Sequence, residues 1–361
     1  MEIPQIVKEA AAKLSRVNLD FLEFAQKNPA CLDHSNFKLL ELKDELFVLQ
    51  PWPTFVNKAN RNHFEAISLR MWDLAKSIPR RVFNNDLEKM SRFYEVPLST
   101  IAYQMGGVDD GHLESLTGRI DFILSSSGLK CLECNFSASL GGWQVPIWEA
   151  LYLNTPIIAR FFKEKGITSA NENLILHFLE HVVHSTPGDI FQKGGKLHLA
   201  IVGEGFVDGK ISVQSYLNTL YKNILRQRDS ALKGRVHMCD YKNLQIVDGF
   251  IFHKGEKIHT LVELHRGFVP DEILDVFKTG NIHLINGPVS RVLANKLNLA
   301  LLSDHENMNV FDPEEKEFID RYIPWTRKIM PGKTCFAGKI IDLPDFIRSN
   351  RQKLVLKPGG S

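Results

Sequence analysis

The chain has 361 residues, 44% of them hydrophobic, enough for two or three domains around a buried core. Its 44 basic and 42 acidic residues leave a formal charge of +2, which excludes a whole-molecule field that gathers nucleic acid or anionic membrane, so any basic site must be local. No run reaches about 18 consecutive apolar residues, and the start MEIPQIVKEAAAKL lacks the apolar centre of a signal peptide, which predicts a cytoplasmic protein with no membrane partner.

Residues 1–110 read as a mainly helical region: QIVKEAAAKLSRVNLDFLEFAQ and HFEAISLRMWDLAKSI carry apolar residues at three-and-four spacing. Between them ELFVLQPWPTFV reads as a strand broken by Pro51 and Pro53. The segment 111–195 opens with GRIDFILSSSGLKCLECN, two strands around a Ser-Gly turn, followed by the small-residue loop FSASLGGWQVP and helices from Trp148 to about His184. Over 196–295 strand and helix alternate. KLHLAIVG, RVHMCD, IHTLVELH and NIHLING are strands, and VQSYLNTLYKNILRQRDSAL, PDEILDVFKTG and PVSRVLANKLNLALL are helices, the pattern of a βαβ-type domain. Within 296–361, PEEKEFIDRYIPWTRKI, LPDFIRSNR and KLVLKP begin a further α+β unit, so the predicted class is α/β with α+β parts. The final KLVLKPGGS reads as a strand entering a glycine-rich loop that continues further.

The five cysteines, Cys31, Cys131, Cys134, Cys239 and Cys335, are an odd number in a long chain and read as reduced thiols. Cys131 and Cys134 form a CxxC within a strand, where odd spacing sends them to opposite faces and argues against a metal or redox pair.

The hairpin carries the chemistry. Arg119, Asp121 and Ile123 share one face of its first strand, and Cys131, Glu133 and Asn135 share one face of its second. A turn centred on Ser127 sets Asp121 opposite Glu133 and Arg119 opposite Asn135. Two carboxylates about 5 Å apart at Cβ repel unless a cation lies between them. Oxygen ligands of this kind suit Mg²⁺, and Arg119 beside them suits a phosphate. The same residues also suit a solvent-facing hairpin laced by Arg119 salt bridges. Lys296 lies in the apolar helical segment LANKLNLALL, and Lys357 ends the run LVLK before glycines, an arrangement that aims a cation and backbone N–H groups at phosphates. A Walker A order is absent.

Together these motifs resemble the circularly permuted ATP-grasp ligases, the group containing glutathionylspermidine synthetase. The shared pattern is an R-x-D strand, an E-x-N strand, an apolar segment holding Asn295-Lys296, and a V-x-K-P strand leading into a glycine-rich loop. The resemblance implies an ATP-grasp-like, circularly permuted fold, with part of the ATP-grasp domain over 111–195, a Rossmann-like substrate domain over 196–295 and the incomplete start of a nucleotide-binding subdomain over 296–361. It implies that Asp121, Glu133 and Asn135 ligate Mg²⁺, that Arg119 contacts the transferred phosphoryl group, and that Lys296, Lys357, Gly359, Gly360 and Ser361 bind ATP. The activity it implies is ATP-dependent joining of a small-molecule or peptide carboxylate to an amine, with the present chain lacking the end of its ATP-grasp domain and inactive by itself. That group follows E-x-N with Asp-Thr-Pro, whereas FSASLGGW follows Asn135 here, so the substrate need not resemble glutathione. Ser137 in this loop and Arg266 in VELHRGF are candidate substrate contacts, Arg266 as a bidentate partner for a carboxylate.

Two other readings compete. HFLEH, with His177, Glu180 and His181 on a helix and His184 one turn on, matches the H-x-x-E-H of zinc peptidases. A non-catalytic nucleotide-binding relative of the ATP-grasp ligases is the other. IVGEGFVDG offers Gly203, Gly205 and Gly209 without the GxGxxG spacing of a dinucleotide site, and reads as a βα loop of a substrate-facing domain. Glu263, His265 and Arg266 read as charges at a strand end.

Overall fold

Ser15 divides the first helical stretch in two. Its backbone is extended (φ −168°, ψ 138°) and its hydroxyl accepts the Val17 N–H, so helices form over Gln5–Leu14 and Arg16–Lys27. The computed structural model describes residues 5–29, 53–125, 128–138, 145–168, 172–191, 195–210, 213–264 and 269–359. The strand expected over ELFVLQPWPTFV falls largely outside them, and its described end is irregular. There the buried Asn18 holds Phe55, accepting its N–H at 2.8 Å and donating to its carbonyl at 2.7 Å.

The chain divides into two compact units, Met1–Ile67 with Gly141–His177 and Ser68–Leu140 with Phe178–Ser361. In the first, Phe21 and Ala25 pack on Ile158 and Phe161 of the helix Pro156–Lys165, and the Phe21 and Phe161 rings meet edge to face at 5.1 Å.

The second unit holds the sheets. Strands β1 (Arg119–Ser125) and β2 (Gly128–Asn135) form an antiparallel hairpin. Then come β3 (Leu199–Val202), β4 (Val236–Cys239), a meander of β5 (Gln245–Val247), β6 (Phe250–His253) and β7 (Glu256–Lys257), β8 (Thr260–Glu263) and β9 (His283–Ile285). β3, β4, β8 and β9 make a parallel sheet in the order β4-β3-β8-β9. The runs LAIV and VHMC are buried at every position, as parallel strands covered on both faces require. The helix Val213–Arg228 crosses from β3 to β4, and the helix Asp271–Lys278 from β8 to β9. Ile273, Leu274 and Val276 of the latter share a core with Ala200, Val202, Cys239, Leu261 and Leu284. Gly234 lets the chain enter β4, because a Cβ there would lie 1.8 Å from the Leu197 carbonyl oxygen. The mixed α/β class read from the sequence is thus present.

Two local readings are corrected, and two elements are added. The β5–β7 meander is built on Asp248-Gly249 and Lys254-Gly255, two-residue turns in which all four residues have positive φ. PVSRVLANKLNLALL is not one helix but two, Val289–Leu293 and Leu297–Leu302. At the break the Asn295 side chain takes the Leu297 N–H at 3.0 Å, and the Lys296 N–H goes to the Gly359 carbonyl at 3.0 Å. Leu354 is extended, but Leu354–Leu356 joins no sheet among the described residues, and Val355 and Leu356 are 84% and 79% exposed. An unread hairpin, β10 (Lys333–Phe336) with β11 (Lys339–Asp342), precedes the helix Leu343–Asn350. Among the described residues no helix is long and apolar enough to cross a membrane.

Candidate functional site

The base of the hairpin is anchored before it begins. Asn286, after β9 and 1% exposed, accepts the Thr117 N–H at 2.9 Å and its hydroxyl at 3.0 Å, and donates to the Thr117 carbonyl at 2.6 Å. At Gly118 a Cβ would lie 2.1 Å from the Trp72 ring and 2.5 Å from the Asn135 carbonyl, so glycine is needed for close approach. Trp72 in turn stacks on Phe136 with centroids 3.8 Å apart.

From this base Arg119 pairs with Asn135 and Asp121 with Glu133, the register expected from the sequence. The route to it differs. At the tip Ser125 pairs with Gly128, and the register shifts by one between Asp121 and Phe122, leaving Leu132 as a bulge. The bulge overturns the reading of Cys131 and Cys134: with Leu132 unpaired, the two turn to one side and both are buried. A hydrogen bond with Cys131, then burial, pushes the Cys134 thiol well above its ordinary value, and Cys131 therefore does not share the Glu133 face. Cys131, Cys134, Cys239 and Cys335 are free thiols, while Cys31 lies outside the described residues.

Arg119 donates to both Asp121 oxygens, at 2.6 and 3.1 Å, and these bonds push its guanidinium further up from its ordinary value. The Asn135 amide nitrogen bridges the carboxylates, 3.3 Å from Asp121 and 3.2 Å from Glu133. Lys296 Nζ lies 3.5 Å and Lys357 Nζ 3.8 Å from Glu133 Oε2, and Lys357 also donates to the carbonyl of the bulged Leu132 at 3.0 Å. Gly359 lies against the helix break, its carbonyl on the Lys296 N–H. Arg119, Asp121, Glu133, Asn135, Lys296, Lys357 and Gly359 are thus brought together. Ser137 is half-buried two residues beyond β2. Gly360, Ser361, His265 and Arg266 lie outside the described residues. A cavity of about 910 Å³ lined by Asp73, Lys76, Arg80, Asp109 and Glu114 contains none of these groups.

The histidines of HFLEH do not converge. His177 Nε2 meets Glu172 at 2.9 Å, His181 Nε2 meets the Ser115 carbonyl at 2.8 Å, and His184 Nδ1 meets the Glu180 carbonyl of its own helix at 2.7 Å. The helix Leu174–Ser185 uses each ring to tie down a neighbouring backbone or side chain. Among the described residues, the groups able to hold a metal through His, Cys, Asp or Glu atoms lie elsewhere: Asp208 with His237 and His253, and His198 with His237 and Glu256.

Sequence reasoning missed that cluster. Asp208, in the βα loop after β3, is 10% exposed. Burial acts to raise its carboxyl, but hydrogen bonds from Gln214 and Lys254 and the charge nearby outweigh it and hold it well below the usual range. Burial pushes His237 down to about 4. The Asp-Gly and Lys-Gly turns were the available signal for β6 and β7, which carry His253 and Glu256. Glu263 is likewise no ordinary surface charge: it ends β8, and burial pushes its carboxyl up to about 7 with Arg291 opposing. No protein-family model matches the chain, and no curated protein matches it.

Proposed function

We propose that the chain is an ATP- and Mg²⁺-dependent carboxylate–amine ligase of circularly permuted ATP-grasp type, forming an amide or peptide bond through an acylphosphate. The observation that supports it is the convergence on Glu133 of groups from three distant segments: the hairpin, the helix break at Lys296, and Lys357 beside Gly359. The donor set suits Mg²⁺, since Asp121 and Glu133 offer carboxylate oxygens and Asn135 offers an amide oxygen once its side chain turns over, without sulfur or imidazole. Two carboxylates facing across a ladder are unfavourable until a cation joins them, and here Arg119, Lys296 and Lys357 supply that charge. Mg²⁺ would neutralise charge gathering on the transferred phosphoryl oxygens.

The residues divide the work. Arg119, half-exposed at its tip, orients the γ-phosphoryl group through its planar donors. Lys296 and Lys357 exchange Glu133 for ATP phosphates, and Gly359 brings bare backbone beside them. The substrate carboxylate attacks the γ-phosphorus, and the bond to ADP breaks. The amine then adds to the acyl carbon and inorganic phosphate leaves, so acid, amine and ATP give amide, ADP and phosphate, with no protein nucleophile. The β4-β3-β8-β9 sheet serves as a Rossmann-like substrate domain in this reading. A cytoplasmic location suits ATP chemistry and the free thiols.

Thermal unfolding of the full-length protein with and without Mg²⁺-ATP tests the site. Ligand at about 100 times its Kd stabilises by about 2.7 kcal/mol, and Glu133→Gln should remove most of that gain. An equal gain in the variant would sink the assignment. Turnover by the full-length protein with a cognate acid and amine should release ADP and phosphate, with oxygen from the labelled carboxylate found in the phosphate; AMP and pyrophosphate would point to a different ligase chemistry.

A further inference from the structure

Three elements meet beside the edge strand of the parallel sheet: the loop after β3, strand β4 and the end of β6. They bring Asp208, His237 and His253 together. His237 Nδ1 lies 3.5 Å and His253 Nε2 3.6 Å from the same oxygen, Asp208 Oδ2. The imidazole side chains are 0% and 4% exposed, and neither of these nitrogens has a hydrogen-bond partner. Buried polar atoms left unpaired are costly, and two aimed at one carboxylate call for an explanation.

The outer contacts say where the ring protons are. His253 Nδ1 is 3.1 Å from the Asn243 carbonyl, which only accepts, so Nδ1 carries the proton and Nε2 a lone pair. His237 Nε2 lies 3.2 Å from Glu256 Oε2, a buried oxygen that receives no well-directed hydrogen bond. With a metal on Nδ1 the ring proton would sit on Nε2 and satisfy this oxygen. Without a metal, Arg235 Nε donates to His237 Nε2 at 3.4 Å, which leaves the ring proton on Nδ1, the proton a metal displaces; the closer contact of Arg235 is Glu256 Oε2 at 2.7 Å. Two imidazole nitrogens and a carboxylate oxygen therefore face one point, with the Asn243 carbonyl behind His253 and the Glu256 carboxylate behind His237, acceptors of the kind that stand behind metal-binding histidines.

We propose that Asp208, His237 and His253 form a zinc site that staples the loop after β3 to strand β4 and to the β5–β7 meander. Zinc bonds of about 2.0–2.2 Å in tetrahedral array set ligand atoms about 3.4 Å apart, close to the two separations seen here. Imidazole and carboxylate donors without sulfur suit zinc and its first-row neighbours, with water in the fourth position. Glu256, held by Arg235, is the outer carboxylate behind His237. The competing cation is Lys254, whose ammonium is 3.1 Å from Asp208 Oδ2; it is 55% exposed on a two-residue turn and has room to withdraw.

The test uses the full chain, stripped with a chelator and dialysed against zinc alone, with bound metal counted. One zinc per chain is expected in the wild type, and loss of it in Asp208→Asn and His253→Gln. Cys131→Ser should retain it, Glu256→Gln should weaken it about 10–100-fold, and Lys254→Met should bind at least as tightly as wild type. Cobalt(II) in the wild type should give tetrahedral visible absorption without a thiolate charge-transfer band, a readout that holds even where a variant fails to fold. The proposal is overturned by absence of zinc uptake, by uptake unchanged in both Asp208→Asn and His253→Gln, or by a thiolate band.

Discussion

Glu263→Gln is a sharp test of the electrostatics of the parallel sheet. The carboxyl ends β8, and burial pushes it up from the ordinary 4.5 to about 7. Below pH 4.5 both the folded and the unfolded chain carry this proton, and it contributes no pH dependence. Between about 4.5 and 7 the unfolded chain loses the proton while the folded chain keeps it, so stability falls as pH rises. Above about 7 both states are ionised and the loss is constant. At about 1.4 kcal/mol per unit the full loss is about 3 kcal/mol. Gln keeps the shape and removes the titration. Urea unfolding of wild type and variant from about pH 4 to 8.5 should therefore show the variant gaining about 3 kcal/mol relative to wild type between the two ends of the range. Parallel stability curves would refute the argument, because every other titrating group is common to both proteins.

Glu133→Gln without ligand should change stability by less than about 1 kcal/mol, since its lysine pairs at 3.5 and 3.8 Å are partly solvated; a much larger loss in urea unfolding would make Glu133 a structural residue. Asn286→Ala should cost about 2–4 kcal/mol, because it strips the Thr117 N–H and carbonyl of their partner, and a neutral result would mean that water replaces the amide. Gly234→Ala should destabilise by about 3 kcal/mol or more, since the 1.8 Å approach is to backbone that cannot turn aside; a thermal scan unchanged from wild type would show that the entry to β4 is looser than drawn.

The alternating strands and helices of 196–295 were legible because continuous apolar runs such as LAIV and VHMC lie between amphipathic helices. The pairing of Asp121 with Glu133 was expected from a turn centred on Ser127, whereas an even tip and the bulge at Leu132 deliver it. The helix break at Asn295-Lys296 was not, because propensity favours Leu and Ala there and a tertiary contact to Gly359 prevails. The cluster of Asp208, His237 and His253 left no trace either: its members lie in a loop, a strand and a second strand, far apart along the chain, and only the folded sheet gives them a common neighbourhood.

The bulge at Leu132 settles a question of parity. An odd number of residues separates Asp121 from Glu133, so the pair can stand opposite only if the tip loop is odd or if an even tip is offset by one extra residue in a strand. The hairpin takes the second course, and the cost is a carbonyl at Leu132 turned out of the ladder, which Lys357 collects. Tip and base consequently keep separate registers. A residue inserted between Ser125 and Gly128 could be absorbed by deleting Leu132, with the facing carboxylates untouched but the lysine deprived of its berth.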